Sequence, residues 1–373
     1  MPVVAAKSSI LSRWHDGTER IEIRSDASID SLFRLANVSV RRPNPDLLLP
    51  DPITLWMWPT PQGVAVSIQD CESEEDIIAV VDAIASALET AGVEAVIEPV
   101  PDEEVPFPYP QNDGFSAAMT LQGEPYWGTP TDPAERRGDQ RLWDPDPGVL
   151  AKVIEHAVNW CEVQGGGLWI TSGTTAFKTP RERAVSVLTR LLDADPSADL
   201  VAARDDGWVR RVGFERNGYV IYEVGGTQQP EWQICVNDLT SVLVDLHQYM
   251  TWGFVQKRPV GRCGIGPATT LVTHEALWEP YEDQVAGFGR ISDPRRFENH
   301  VLNVYGIQVL GPSHDTGSLA GDWDIKPLDA GWTLVSSRSP SRWFAGTPTL
   351  QTLLDSRGSF GELVDPIWSP TRK

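Results

Sequence analysis

Apolar positions along the chain switch between two periods. In "ERIEIRS" and "GVAVSIQ" every second residue is apolar, the period of a half-buried strand. From Ile77 the apolar residues Val81, Ile84, Ala85 and Leu88 recur at three- and four-residue intervals, the period of a helix. Ser73 and Asp76 stand at capping-box spacing before it, acids fill its first turn and Gly92 closes it. "SIDSLFRLA" reads as a shorter helix, and "NVSVRR", "ITLWMW" and "VEAVIEPV" as strands, with a Pro/Gly turn at "PTPQG". Together these predict an N-terminal α+β domain over 1–98, a ferredoxin-like α/β sandwich with an extra strand.

Residues 99–147 break both periods. "FPYP", "WGTPTDP" and "WDPDPG" suit neither a helix nor a central strand, so the stretch reads as a Pro/Asp-rich linker or a packed extended segment. Its aromatics Phe107, Tyr109, Tyr126, Trp127 and Trp143 favour the packed form. Over 148–256 the pattern predicts a helix near 148–162, a strand at "GLWITSG" and a helix opened by Thr179, Pro180 and Glu182. An antiparallel meander follows, turning at Asp206-Gly207 and Asn217-Gly218. "EWQICV" reads as a fourth strand, and a helix from about Asp238 carries Leu239, Val242, Leu243, Leu246 and Met250. Residues 257–373 form a smaller C-terminal α+β region with strands at "LNVYGIQVL", "DWDIKP" and "GWTLVSS" and a helix after Thr347-Pro348. The expected class is α+β: the sandwich, then a helix-packed β-meander, then a C-terminal extension.

Charge changes the picture. The chain of 373 residues has a formal net charge of −21, and it is segregated. Residues 43–135 hold 18 acids and no Lys or Arg, while the remainder holds 34 acids against 31 bases. Such asymmetry bears on association and solubility. Basic patches such as "RRPNP" and "QKRP" are short, which disfavours direct nucleic-acid binding. No run approaches the ~20 apolar residues of a membrane span, and "MPVVAAKSSILSRW" has no secretory apolar core. The four cysteines have no zinc-knuckle or redox spacing. A cytoplasmic location with free thiols is the expectation.

Few constellations suggest chemistry. "GPSHDTGS" sets Ser313, His314 and Asp315 side by side, where a triad needs convergence from distant positions, so it reads as a polar turn. "GGGLWITSGTTAFKT" lacks the Lys that a phosphate loop places after its second Gly. "HEALWEPYED" lacks an HExxH, and no metal or cofactor is expected. The best nucleophile is Cys263 in "GRCGIGP", beside Arg262, with His274 or His247 as base. Three functional readings follow. In the first, an acidic interaction protein of inhibitor or immunity type docks on a basic protein partner. It would use Glu74, Glu75 and Asp76 together with Asp102, Glu103, Glu104, Phe107 and Tyr109 of "PVPDEEVPFPYP". The alternatives are an enzyme built on Cys263 and His274, or a small-ligand binder with an aromatic pocket. Sequence leaves the oligomeric state open.

An activated Cys263 would be alkylated by iodoacetamide near pH ~6, well below the range of an ordinary thiol. The expected outcome is ordinary reactivity. Preferential labelling of Cys263 in the native protein at that pH, read by mass spectrometry, would favour the enzyme instead.

Overall fold

In the computed structural model, the described residues are 3–12, 19–42, 51–60, 62–69, 71, 73–100, 114–124, 144–162, 168–172, 175–194, 198–203, 208–215, 218–226, 231–258, 298–301 and 303–364. The fold is mixed α+β. The chain divides into two compact units, the first of residues 1–105 and 177–194, the second of residues 106–176 and 195–373.

Unit 1 begins with β1 (Val4–Ala5) and α1 (Lys7–Leu11), then runs β2 (Glu19–Arg24), α2 (Ile29–Ala36), β3 (Thr54–Thr60), β4 (Gly63–Gln69), α3 (Glu74–Thr90) and β5 (Val96–Pro99). "NVSVRR" contributes no more than Arg41–Arg42, paired with Asp51–Pro52. The sheet order is β1-β5-β2-β4-β3, with β2 antiparallel to both β4 and β5, and β1 parallel to β5. α3 starts as its sequence dictates. The Ser73 hydroxyl accepts from the Asp76 N–H and the Asp76 carboxylate from the Ser73 N–H, each at 3.3 Å. Its apolar face, Ile77, Val80, Val81, Ile84 and Leu88, closes on Ile21, Ile23, Val64, Val66, Ile68 and Ile97 of the sheet. Every second residue of the strands supplies that face, which is why the alternation was legible.

Unit 2 is built on a ten-stranded sheet among the described residues. Its elements are β6 (Gly114–Leu121), α4 (Pro147–Cys161), β7 (Leu168–Ser172), the first two residues of β8 (Thr175–Thr179), β9 (Ala198–Ala203), β10 (Trp208–Phe214), β11 (Tyr219–Gly226), α6 (Trp232–Leu246), β12 (Met250–Arg258), β13 (Ile307–Leu310), β14 (Trp323–Pro327), β15 (Thr333–Ser337), α7 (Ser341–Phe344) and α8 (Leu350–Phe360). Between β8 and β9 comes α5 (Arg181–Ala194), which belongs to unit 1 and packs on β3. The sheet order is β8-β7-β9-β10-β11-β6-β12-β13-β15-β14. The meander β9-β10-β11 is antiparallel throughout, and β13, β15 and β14 extend the same sheet.

Three local differences from the sequence reading have physical causes. "EWQICV" lies in helix α6, because Cys235, Val236, Leu239, Val242, Leu243 and Leu246 share one buried side; a six-residue apolar run is too short to tell the two periods apart. β6 lies inside the linker-like stretch. All eight of its residues are buried, so it shows no alternation. The reversal after β10 takes three residues: the Glu215 N–H donates to the Tyr219 carbonyl at 2.9 Å and the Gly218 N–H to the Glu215 carbonyl at 3.0 Å. Gly218 takes a left-handed position, at φ 81°, and Arg216 and Asn217 lie outside the described residues. Asp206-Gly207 lies outside the described residues.

A side chain at that φ is strained. Gly218→Val is expected to destabilise unit 2 by about 1–3 kcal/mol in urea unfolding. An unchanged midpoint would show that the turn does not need the left-handed conformation.

Candidate functional site

α3 carries four exposed carboxylates, Glu74, Glu75, Asp82 and Glu89. Glu74 and Glu75 are exposed in its first turn, where the positive end of the helix favours carboxylates. Asp76 is buried, and its carboxylate is committed to the cap. Glu75, Asp82 and Glu89 stand seven residues apart, which places them along one side of the helix, and all three are exposed. Neither Asp82 nor Glu89 was singled out from the sequence, although their spacing from Glu75 was there to be read. Glu89 sits in the last turn, where no basic residue offsets the negative end of the helix. An acid there opposes the helix dipole by roughly 0.3–1 kcal/mol. Asp102, Glu103, Glu104, Phe107 and Tyr109 lie outside the described residues.

Two acids of the base-free run, Asp82 and Glu98, meet cations from outside it. Lys7 pairs with Asp82, and Arg24 with Glu98 at 2.7 Å and Glu22 at 2.9 Å. The Lys7–Asp82 pair is exposed, and such pairs contribute ~0–1 kcal/mol. Glu74, Glu75 and Glu89 have no ion pair within the described residues.

Unit 2 holds its charges inside. Arg211 on β10 donates to Glu223 on β11 at 2.7 Å and to Asp199 on β9 at 2.8 Å, all three buried. Arg210 points to the opposite side of the same strand, bonding the Trp160 carbonyl at 2.6 Å and Asp238 at 2.9 Å, with its guanidinium 4.7 Å from the Trp160 ring centroid. This ties α4 and α6 to the sheet. On α4, His156 lies 3.0 Å from the Tyr222 hydroxyl and 3.9 Å from Asp245. The order Asp–His–Tyr suggests a proton relay. Tyr222, however, is fully buried, and burial pushes its hydroxyl far above the ordinary range, so it has no route to a substrate.

The nucleophile candidates Cys263 and His274 lie outside the described residues. Cys71, Cys161 and Cys235 are buried free thiols. Burial, with Asp238 adding to it, pushes Cys235 up to about 12, and burial raises Cys161 further despite Arg210, so neither is a thiolate near neutrality. Ser313, His314 and Asp315 form a turn and not a triad. Asp315 accepts the Gly317 N–H at 3.0 Å, Ser313 is exposed, and the His314 ring turns inward to the Gly311 carbonyl at 3.3 Å. Among the described residues no group of three His, Cys, Asp or Glu side chains is placed to hold a metal, and no helix is long and apolar enough to cross a membrane.

No known protein-family model matches the chain, and no curated protein is significantly similar to it.

His314 gives unit 2 a pH dependence. Burial lowers its basicity, with the Gly311 and His300 carbonyls opposing. An unfolded histidine titrates near pH ~6.5. Below that pH the unfolded chain binds the proton that the folded chain refuses, so stability present above it is lost as pH falls towards the folded value. His314→Gln is expected to flatten the stability of unit 2 between pH ~7.5 and ~5.5 relative to the parent. Equal slopes for the two proteins would exclude His314 as the source.

Proposed function

We propose that the protein is an acidic interaction protein that docks on a basic protein partner through the α3 side of unit 1, in the manner of an inhibitor or immunity protein. The observation that carries the reading is Glu89. A carboxylate at the negative end of α3, with no base in that turn, does not serve helix stability. It continues the line of Glu75 and Asp82 and so extends an acidic side suited to steering a cationic surface. The β-α-β-β-α-β order of unit 1 supports reading it as a ferredoxin-like sandwich with β1 as the extra edge strand. Buried, unbridged Cys71, Cys161 and Cys235 support a reducing compartment, the cytoplasm.

The partner would be isolated by affinity capture at low salt and released at high salt. Its association rate with the parent is expected to fall as the Debye length shrinks from ~30 Å at 0.01 M to ~8 Å at 0.15 M. Changing Glu74, Glu75 and Glu89 together to Gln is expected to slow association several-fold at low salt, with only a small shift in melting temperature because the loss of two favourable first-turn carboxylates is partly offset by the loss of Glu89. Asp102→Asn with Glu103→Gln and Glu104→Gln tests the Pro-rich segment in the same way. Equal rates and equal salt slopes for all three proteins would leave acidity as a solubility feature.

A further inference from the structure

Among the described residues, β14 is the last strand of the ten-stranded sheet. Two hydrogen bonds fix which of its backbone groups face inwards. The Arg338 N–H donates to the Asp322 carbonyl at 3.0 Å, and the Leu328 N–H to the Trp332 carbonyl at 2.8 Å. The register between them sets Asp324 opposite Ser336 and Lys326 opposite Leu334 of β15. Antiparallel bonding alternates, so the even-numbered residues bond β15, and the N–H and C=O of Ile325 point to the open edge. Asp324, Ile325, Lys326 and Pro327 are all exposed, Ile325 by 44%. Trp323 is buried against Trp343 and Phe360, and Pro327 has no N–H. The free edge is therefore short and centred on Ile325.

Open edges invite pairing, and Lys or Pro on them discourages it. Lys326 and Pro327 guard β14 in this way against an arbitrary strand. A second copy of the chain is different. A two-fold axis at Ile325 lays β14 antiparallel to itself, and each Ile325 N–H then meets the Ile325 carbonyl of the other copy. Asp324 stands directly opposite Lys326 of the other copy, and Lys326 opposite its Asp324. These are non-hydrogen-bonded positions, where facing side chains come closest. Lys326 has no ion pair among the described residues. Asp324 meets Arg338 at 2.9 Å, but it is exposed and a carboxylate accepts from more than one cation. Sliding the pair by two residues sets Asp324 against Asp324 or Lys326 against Lys326, and like charges directly opposite destabilise. The strand is thus complementary to itself in one register. We propose that two copies of the chain associate through β14 about this axis, joining their sheets edge to edge. Such an interface is isologous, the usual form of a closed dimer. It lies on unit 2 and does not depend on docking through unit 1.

Pairing over so few residues makes a small interface and a weak dimer. The test is sedimentation equilibrium of the full chain, in which the parent is expected to pass from monomer to dimer as its concentration rises. Lys326→Asp sets acids against acids across the axis, and Asp324→Lys sets bases against bases. Each variant alone is expected to dimerise at least ~5-fold more weakly than the parent, because two cross-strand pairs turn repulsive. Mixed in equal amounts, the two variants present opposite charges to each other at both positions, and dimerisation is expected to return to the parent's level. A net-charge effect would instead place the mixture between its components. These side chains are exposed, so both variants are expected to melt close to the parent. Hydrogen exchange reads the backbone directly: the Ile325 N–H is expected to exchange fast in dilute solution and to be protected where the dimer predominates. The proposal is overturned by a parent that is still monomeric at ~1 mM, or by a dimer that neither substitution weakens. A mixture no stronger than its components, or an Ile325 N–H as unprotected in the dimer as in the monomer, would overturn it too.

Discussion

The second unit depends on one strand. Gly114–Leu121 is hydrogen-bonded along both edges, to Tyr219–Gly226 on one side and Met250–Arg258 on the other, and both its faces are buried. It joins the meander to the C-terminal strands, which would otherwise be separate sheets with raw edges. Its register is set from the polar side. Ser116 lies opposite both Glu223 and Gln256, and Glu223 lies opposite Arg211, so a buried polar row crosses neighbouring strands. A slip of one residue would turn Arg211 away from its carboxylates and leave buried charges uncompensated.

Legibility followed local rules. α3, its cap and the alternating strands beside it were legible because burial on one side imposes a period. The central strand was not, since "GFSAAMTL" is small-residue rich and buried on both faces, and it sits among prolines that argue for a linker. "EWQICV" failed for the opposite reason: it has strand-like residues, yet Ile234 is 57% exposed and the buried residues follow the helical period. The base-free run was plain in the sequence. That Lys7 and Arg24 pair with two of its acids, Asp82 and Glu98, was not, because they reach them through tertiary structure.

The charge segregation of the chain is therefore softened in space. α5 adds Arg181, Arg183 and Arg190 to unit 1, alongside the bases of the first 42 residues. Among the described residues of α3, Glu74, Glu75 and Glu89 have no ion pair. Position on the helix, more than total charge, distinguishes these acids from the rest of an acidic surface.

The return of α5 to unit 1 also sets an order of assembly. Residues 1–105 leave the ribosome well before α5, whose buried Ala184, Val187, Leu188, Leu191 and Leu192 belong to the same unit. At ~5–20 residues per second the missing helix arrives on the order of 5–20 s later. In that interval the central strand of unit 2 has already emerged without its partners Tyr219–Gly226 and Met250–Arg258. Unit 1 cannot finish before unit 2 has begun, so during synthesis the apolar surfaces of both units stand open at once.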